Sequence, residues 1–419
     1  MSMFRNLMSI PTESGPDTFI CKIKNTNTSA VTPYIAFPVR SAYAAISSIT
    51  VTIETSGGQS QTLTITGTDL TTKNDTASFA LGRIEYFSAV SMAQDETATV
   101  TLYSKSKQFP SFSFCSSSEG YHWGKANARL YEVNTPLPVF VDGFCGSVFV
   151  GSLLTSLPND LFQYGGSIKE LNYTFAYSSL VSVPEWLFNG MSKVTSTECL
   201  FRYSDKLTTL PEGLFNGMTN VTKMGFCFSY CSALTSIPEG LFNGLTKVTN
   251  LNYCFANCTS LTSIPEGLFN GMTNVTNLSY CFDRCSALTS IPEGLFNGMT
   301  RVTRFRSCFR ECTSLTSIPE GLFREQVNAT DFLYCFRRVP AKAIHPNIFC
   351  NEATEKTTRF ANVNPDFSNC FEELTGTVAG TAPALWEYTY KAEPTKTGCF
   401  SGNSTTTLSN YGDIPTEWK

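Results

Sequence analysis

The sequence predicts a mainly β protein, in which an N-terminal antiparallel β-sandwich-like domain precedes a solenoid of 27-residue coils. Two observations lead to this fold class. Short segments in which polar and apolar residues alternate fill the N-terminal quarter of the chain, as expected of half-buried strands. From residue 154 onward one phrase returns at a fixed period, which indicates a repeat architecture.

The N-terminal domain is assigned to residues 1–106. Alternation predicts strands at 18–23, 49–53, 62–65, 77–90 and 97–103, and residues 56–59 (Ser-Gly-Gly-Gln) have the composition of a hairpin turn. Short strands at this spacing favour an antiparallel sandwich. We expect this domain to be an attachment or assembly module, with a spacer or cap as the alternative.

The rest of the chain is divided according to how well each part keeps the 27-residue pattern. Residues 107–153 are predicted to be a transition and N-terminal cap with strands at 136–141 and 146–150, residues 154–339 to be the repeats, and residues 340–419 to be degenerate repeats with a C-terminal cap. The prolines that mark the period lie 27 residues apart: Pro184, Pro211, Pro238, Pro265, Pro292 and Pro319.

Within one coil, the apolar residues Leu278, Tyr280 and Phe282 alternate, which predicts a strand with one buried face. Residues 265–271 (Pro-Glu-Gly-Leu-Phe-Asn-Gly) combine a proline with two glycines and predict a short helical turn or 3₁₀ turn. Identical side chains of stacked coils form columns. The clearest predicted column is phenylalanine: Phe175, Phe201, Phe228, Phe255, Phe282, Phe309 and Phe336.

These motifs resemble those of leucine-rich repeat proteins. Residues 264–269 (Ile-Pro-Glu-Gly-Leu-Phe), followed by Val275, Leu278 and Tyr280, resemble that family's L-P-x-G-L-F and L-x-x-L-x-L pattern. The Cys-Phe-x-x-Cys-x-x-Leu-x-x-Ile segment at 281–291 resembles a block of the BspA-like leucine-rich surface proteins of gut and oral bacteria. The resemblance covers about residues 150–419. It implies a leucine-rich-repeat solenoid that binds other molecules.

Composition narrows the function class. Only 15% of the residues are charged, the net charge is −4, and Thr, Ser and Asn supply an uncharged polar surface. A surface of this kind is common in extracellular and virion proteins and is not that of a nucleic-acid binder. No apolar stretch is long enough for a membrane span.

The cysteines are the first candidate for chemistry. Four copies of the repeat contain Cys-Phe-x-x-Cys, at Cys227/Cys231, Cys254/Cys258, Cys281/Cys285 and Cys308/Cys312. Stacked columns do not converge on one ion, and serine replaces cysteine at Ser178 and Ser204. We expect a ladder of buried reduced thiols, with disulfides and a zinc site as the alternatives.

Other chemistry has little support. The chain has two histidines, His122 and His345, and contains no nucleophile elbow or phosphate loop. A glutamate follows the proline in each of six repeats, which we interpret as a favourable first-turn position, with cation binding as the alternative. A glycan-degrading enzyme would need paired carboxylates that we cannot place. We expect no enzyme activity, no cofactor and no metal.

The candidate binding residues are those that vary between copies. One outward position runs through Glu170, Ser196, Lys223, Asn250, Asn277, Arg304 and Asp331. Asp331 is expected to neutralise Arg304 and leave Arg306 and Arg310 as the freer cations. Tyrosine and arginine dominate binding hot spots. The candidates are Arg304, Arg306, Arg310, Arg337, Arg338, Tyr177, Tyr203 and Tyr230; the alternative is ordinary solvated surface.

Together these features predict a non-enzymatic binding or structural protein. Residues 1–20 lack the apolar run of a signal peptide. We therefore expect a component of a phage virion (fibre, tail or capsid decoration) more than a bacterial cell-surface adhesin. The expected partners are a larger assembly at the N-terminal domain and a host-cell surface protein or glycan at the repeats. No nucleic acid is expected as a partner, and homo-oligomerisation is left open.

Overall fold

The computed structural model describes residues 18–25, 30, 34–38, 48–65, 83–87, 92–104, 109, 129–140, 143, 145–146, 148–350 and 353–419. The chain divides into two compact units, Met1–Thr195 and Ser196–Lys419. It is mainly β, with an antiparallel sheet in the first unit. The helical segments that are described are short 3₁₀ turns at Gly165–Ser167, Ala341–Ala343, Ala353–Thr357, Leu385–Glu387, Tyr411–Asp413 and Thr416–Trp418.

The first unit contains seven described strands. They are β1 (Thr18–Lys24), β2 (Tyr34–Pro38), β3 (Ile49–Thr55), β4 (Ser60–Ile65), β5 (Arg83–Phe87), β6 (Thr97–Tyr103) and β7 (Arg129–Val133). Five form an antiparallel sheet in the order β4-β3-β6-β1-β7, and β2 pairs with β5 in a second sheet. The antiparallel sheet expected from the sequence is confirmed. The sandwich arrangement and the four predicted domain boundaries stay predictions.

Alternation along the strands sets the buried face of the sheet. In β1 the side chains of Phe19, Cys21 and Ile23 are buried, whereas their neighbours are half-buried. The hairpin between β3 and β4 is also where the sequence places it. Its turn is closed by the Thr55 N–H, which donates to the Gln59 carbonyl at 2.8 Å, and Gly58 has a φ of 84°. The sequence missed β2 and β7, while residues 77–82 and 88–90 of the predicted strand at 77–90 lie outside the described residues.

The two strands predicted at 136–141 and 146–150 are wrong within the described residues. Phe140 forms an isolated bridge to Phe109 and is not part of a strand, and residues 148–150 form a turn. The Phe149 N–H donates to the Thr174 carbonyl at 3.0 Å, and the Ser152 N–H donates back to the Phe149 carbonyl at 3.1 Å. Since this segment bonds alternately to a later segment and to itself, it cannot be a regular strand.

The strand predicted in each repeat is also wrong, and the second unit has tight turns in its place. In the central copy the N–H groups of Leu278, Tyr280 and Phe282 donate to carbonyls of the next copy, at 2.7–3.0 Å. The N–H groups of Cys281 and Asp283 instead donate back within the copy to the carbonyls three residues earlier, at 3.1 and 3.2 Å. A φ of 59° at Tyr280 makes this alternation possible, because a left-handed residue reverses the chain.

The phenylalanines stack from copy to copy through the second unit. Successive ring centroids from Phe201 to Phe336 lie 5.3–5.7 Å apart and nearly parallel. The stack continues through Phe371 to Phe400. A second stack is formed by Phe215, Phe242, Phe269, Phe296 and Phe323. The regular spacing of phenylalanine in the sequence therefore fits a repeated core.

The segment that begins at each proline is a pair of turns, as the sequence indicated. The Leu268 N–H donates to the Pro265 carbonyl at 3.3 Å, and the Asn270 N–H donates to the Gly267 carbonyl at 2.9 Å. Gly267 has a φ of 78°, and a Cβ added there would lie 2.5 Å from the Asn270 amide nitrogen. Glycine adopts this left-handed conformation without strain.

Candidate binding surface

The variable side chains of the second unit fall into columns. Four of them form the outer column, which consists of Lys223, Asn250, Asn277 and Arg304. Parallel bridges join Lys223 to Asn250, Asn250 to Asn277 and Asn277 to Arg304. The two cations are exposed and the two amides are half-exposed. The register therefore places one outward polar group on each of four successive copies.

A second column consists of aromatic rings. Phe226, Tyr253 and Tyr280, the ring column, stack with centroids 4.4 and 4.2 Å apart and planes within 7° of parallel. The rings are half-buried, not fully inward as their place in the predicted strand implied. Burial raises the pKa of Tyr253 to about 12, and the neighbouring Tyr280 adds to the effect. Sequence reasoning missed this column, although three aromatic residues one period apart were a usable signal.

The candidate tyrosines behave differently from one another. Tyr203 and Tyr230 stack at 4.2 Å, and the Arg202 guanidinium carbon lies 5.1 Å from the Tyr203 ring centroid and 5.0 Å from the Phe226 ring centroid. Arg202 thus joins the tyrosine pair to the ring column by cation–π contacts. Tyr177 belongs to the first unit, where it is half-buried beside Val150 and Ala176. The structure brings together Tyr203 and Tyr230.

The expected partner of Asp331 is wrong. The Arg306 Nε lies 3.2 Å from Asp331 Oδ2, whereas Arg304, directly opposite Asp331 in the backbone register, is exposed and makes no ion pair with any described residue. Arg306, two residues after Arg304 on the same copy, reaches Asp331 diagonally across to the next copy. Arg304 is the freer cation, and Arg306 is the paired one.

Arg310 is not free either. It forms a two-pronged ion pair with Asp283, with Nε to Oδ1 at 2.7 Å and Nη2 to Oδ2 at 2.9 Å. The Asp283 side chain is 3% exposed. Burial raises the pKa of Asp283, and the hydrogen bond to Asp283 raises the pKa of Arg310. The guanidinium also lies 5.7 Å from the Tyr280 ring centroid.

The last candidate arginines belong to a ladder of alternating charge. Arg284 pairs with Glu311 at 3.1 Å, Glu311 lies 3.8 Å from Arg338, and Arg338 pairs with Glu373 at 2.7 Å. Arg337 pairs with Glu372 at 2.7 Å and with Glu373 at 2.9 Å. The hydrogen bond from Arg338 lowers the pKa of Glu373. These arginines are answered within the chain, so the density of arginine in the sequence overstates the charge offered to a partner.

The cysteine columns are buried free thiols in the described part of the chain. The second cysteine of each pair donates its S–H to a phenylalanine carbonyl of the preceding copy, as Cys258 does to Phe228 at 3.2 Å and Cys285 to Phe255 at 3.3 Å. Burial raises the pKa of Cys258 to about 12. No group of three metal-binding side chains comes together among the described residues.

The glutamates that follow the prolines are exposed in the second unit, at Glu212, Glu239, Glu266, Glu293 and Glu320. Glu320 accepts a hydrogen bond from the Asn347 amide at 3.0 Å. No described residue gives these carboxylates an ion pair. They form a solvated acidic edge on each copy.

Comparisons with known proteins add little. No protein-family model matches the chain, and no curated protein matches it. Among solved structures, a chain of the Toll–Spatzle complex of Drosophila, in its glycosylated form, matches with a TM-score of 0.28 and 16% sequence identity, over 47% of this chain and 32% of that chain. The match thus spans about a third of the solved chain, and at this TM-score it supports no conclusion. No helix in the described residues is long and apolar enough to cross a membrane.

Proposed function

We propose that the protein is a non-enzymatic binding protein whose repeats form a leucine-rich-repeat solenoid of the BspA-like kind. The supporting observation is that, within each copy of the second unit, the core positions are constant and the outward positions vary. The core positions repeat with one residue type, as in the phenylalanine stacks. The outer column changes from copy to copy, from Lys223 through Asn250 and Asn277 to Arg304, on a constant backbone. A scaffold that keeps its core and varies its surface suits recognition.

The setting we propose is a phage virion, in which the repeats recognise the host-cell surface and the N-terminal domain holds the protein in a larger assembly. The composition supports an extracellular setting, since the surface is polar with few charges. A bacterial cell-surface adhesin is the second candidate. It is supported by the resemblance of the cysteine-phenylalanine block to surface proteins of gut bacteria.

Two experiments test this proposal. Binding of the full chain to cells of a candidate host bacterium should be saturable, and it should be lost after the cells are stripped of surface material. Mass spectrometry of purified virions should then detect the protein. If it is found in the bacterial envelope fraction and absent from virions, the adhesin is correct. Absence of saturable cell binding in either setting would refute surface recognition.

The proposed attachment by the N-terminal domain is tested in intact particles. Lysine cross-linking should join Lys22 or Lys24, on β1, to other structural proteins. Lys223 and Lys247, on the repeats, should remain without such links. The reverse pattern would assign attachment to the repeats.

A further inference from the structure

The strongest unexplained feature of the second unit is a stripe of basic and amide side chains. It is made by the matching segments 219–225, 246–252, 273–279 and 300–306. These four segments contain five basic residues (Lys223, Lys247, Arg301, Arg304 and Arg306) and no acidic residue, in a chain whose net charge is −4. The stripe is therefore locally positive.

Most of this charge is not neutralised within the described residues. Arg306 alone has a carboxylate partner, Asp331. Lys247 donates to the Asn220 side-chain oxygen at 2.5 Å, and Arg301 donates to the Asn274 side-chain oxygen at 2.8 Å, so both have neutral partners. Lys223 and Arg304 are exposed. Four cations therefore remain available to an anion.

The amides between the cations are held so that they present donors. The Asn250 Oδ1 accepts the N–H of Asn252 at 3.2 Å, and the Asn277 Oδ1 accepts the N–H of Ser279 at 3.0 Å. With the oxygen occupied, each Nδ2 is left as the outward group, and no described residue accepts a hydrogen bond from it. The outer column reads cation, amide, amide, cation, and all four groups are donors.

We propose that the stripe binds an acidic polysaccharide that lies along the successive copies. Lys223 and Arg304 are three copies apart, about 14 Å at the usual strand spacing, and Lys247 and Arg301 are two copies apart, about 10 Å. Cations at these intervals suit a polymer with regularly spaced carboxylate or sulfate groups. The two amides between them suit its neutral hydroxyls, and this inference deepens the proposed surface recognition and rests on it.

The composition of the stripe favours a glycan over a protein or a nucleic acid. Protein interfaces concentrate aromatic anchors at their centre and are depleted in lysine. The one aromatic residue in the four segments is Phe305, which is fully buried. Single-stranded nucleic acids need free aromatic faces on which bases stack. The half-buried rings beside the stripe, Phe226, Tyr253 and Tyr280, are instead stacked on one another.

The sharpest test is Asn277→Asp in the full chain. The chain itself already contains this arrangement, because Asp331 and Asp366 occupy the same column position and accept the N–H two residues later, at 3.3 and 2.9 Å. The variant should therefore fold with an unchanged melting temperature. It converts the central donor to an acceptor and adds a negative charge. The matched control is Asn270→Asp, at an exposed amide in the turn that follows Pro265.

Binding is measured by biolayer interferometry with four immobilised probes: polygalacturonate, dextran sulfate, uncharged dextran and polyglutamate. We expect binding to the first two, with about a tenfold loss for Asn277→Asp, equivalent to about 1.4 kcal/mol, and less than a twofold change for Asn270→Asp. Binding should weaken as salt is raised. Equal binding to uncharged dextran, or an Asn277→Asp variant that binds like the parent, would overturn the proposal. Tighter binding to polyglutamate would reassign the stripe to an acidic protein.

Failure here is distinguishable from failure of the proposed function. If the repeats recognise cells through another surface, cell binding will persist, and neither Asn277→Asp nor added polygalacturonate will reduce it. If recognition itself is wrong, the parent protein will not bind cells at all.

Discussion

Arg310 and Asp283 lie one repeat apart and are joined by two hydrogen bonds of 2.7 and 2.9 Å, with the aspartate almost wholly buried. The pair joins one copy to the next, and the charge of each side chain is met by the other. This relationship separates the arginines of the late repeats into structural and exposed groups. Arg310 and Arg337 belong to the first group, and Arg304 belongs to the second.

Breaking the pair from one side should be costly. Arg310→Met should lower the free energy of unfolding by about 3 kcal/mol, since it leaves the Asp283 carboxylate buried without its partner. The double variant Asp283→Asn with Arg310→Met should recover part of that loss, because the buried charge is gone. Chemical denaturation of the four members of the cycle measures both effects. A loss below about 1 kcal/mol for Arg310→Met, the value of an exposed pair, would show that the pair behaves as surface.

The phenylalanine stack should dominate the stability of the repeats. Phe282 is fully buried and lies 5.6 Å from both Phe255 and Phe309. Phe282→Ala removes a ring from the middle of the stack and should cost about 3–5 kcal/mol, as large cavities do. Urea denaturation gives the value. Phe282→Leu is the matched control and should cost less, and equal costs for the two variants would argue against a cavity.

The charge ladder should make stability depend on pH. The pKa of Glu373 is lowered in the folded protein by the hydrogen bond from Arg338. Its contribution is therefore fully present above the ordinary pKa of a carboxyl group, about 4.5, and is lost as the pH falls through the lower folded value. The difference in melting temperature between the parent and Glu373→Gln should be largest near neutral pH and should shrink below pH 4.5. A difference that stays constant down to pH 3 would contradict this role.

The cysteines should be reduced and shielded. Of the 16 cysteines in the chain, those that are described are buried free thiols. A thiol reagent at neutral pH should label few of them in the folded protein, because burial keeps the reagent away and raises the pKa of column thiols such as Cys258 and Cys281. After denaturation without a reductant it should label most. Fewer than half labelled, or stoichiometric zinc by elemental analysis, would favour the disulfide or metal alternative.

Several features could be predicted because they depend on residue type alone. The 27-residue period, the phenylalanine columns and the cysteine columns follow from which side chains avoid water. The hairpin between β3 and β4 follows from two glycines between alternating segments. In each case the local sequence carries the whole signal, so no distant contact had to be known.

The backbone of the repeats could not be predicted in this way. Alternation at Leu278, Tyr280 and Phe282 predicts a strand, whereas the turns bury the consecutive side chains of Cys281, Phe282 and Asp283 and leave Tyr280 half-buried. The choice is made by where alternate N–H groups find their acceptors, in the next copy or three residues back. Because these hydrogen bonds form turns, the rings of Phe226, Tyr253 and Tyr280 are only half-buried.

The candidate binding surface was likewise predicted only in part from the sequence. The sequence determined that the outward positions vary and that the late repeats are rich in arginine. Only the tertiary structure decided which of these charges meet. Arg306 pairs with Asp331, 25 residues later in the chain, and Arg310 pairs with Asp283, 27 residues earlier. Ion pairing depends on distances of a few ångströms between separate copies, which composition does not fix. Once those pairs are known, Lys223 and Arg304 can be identified as the exposed cations at the two ends of the outer column.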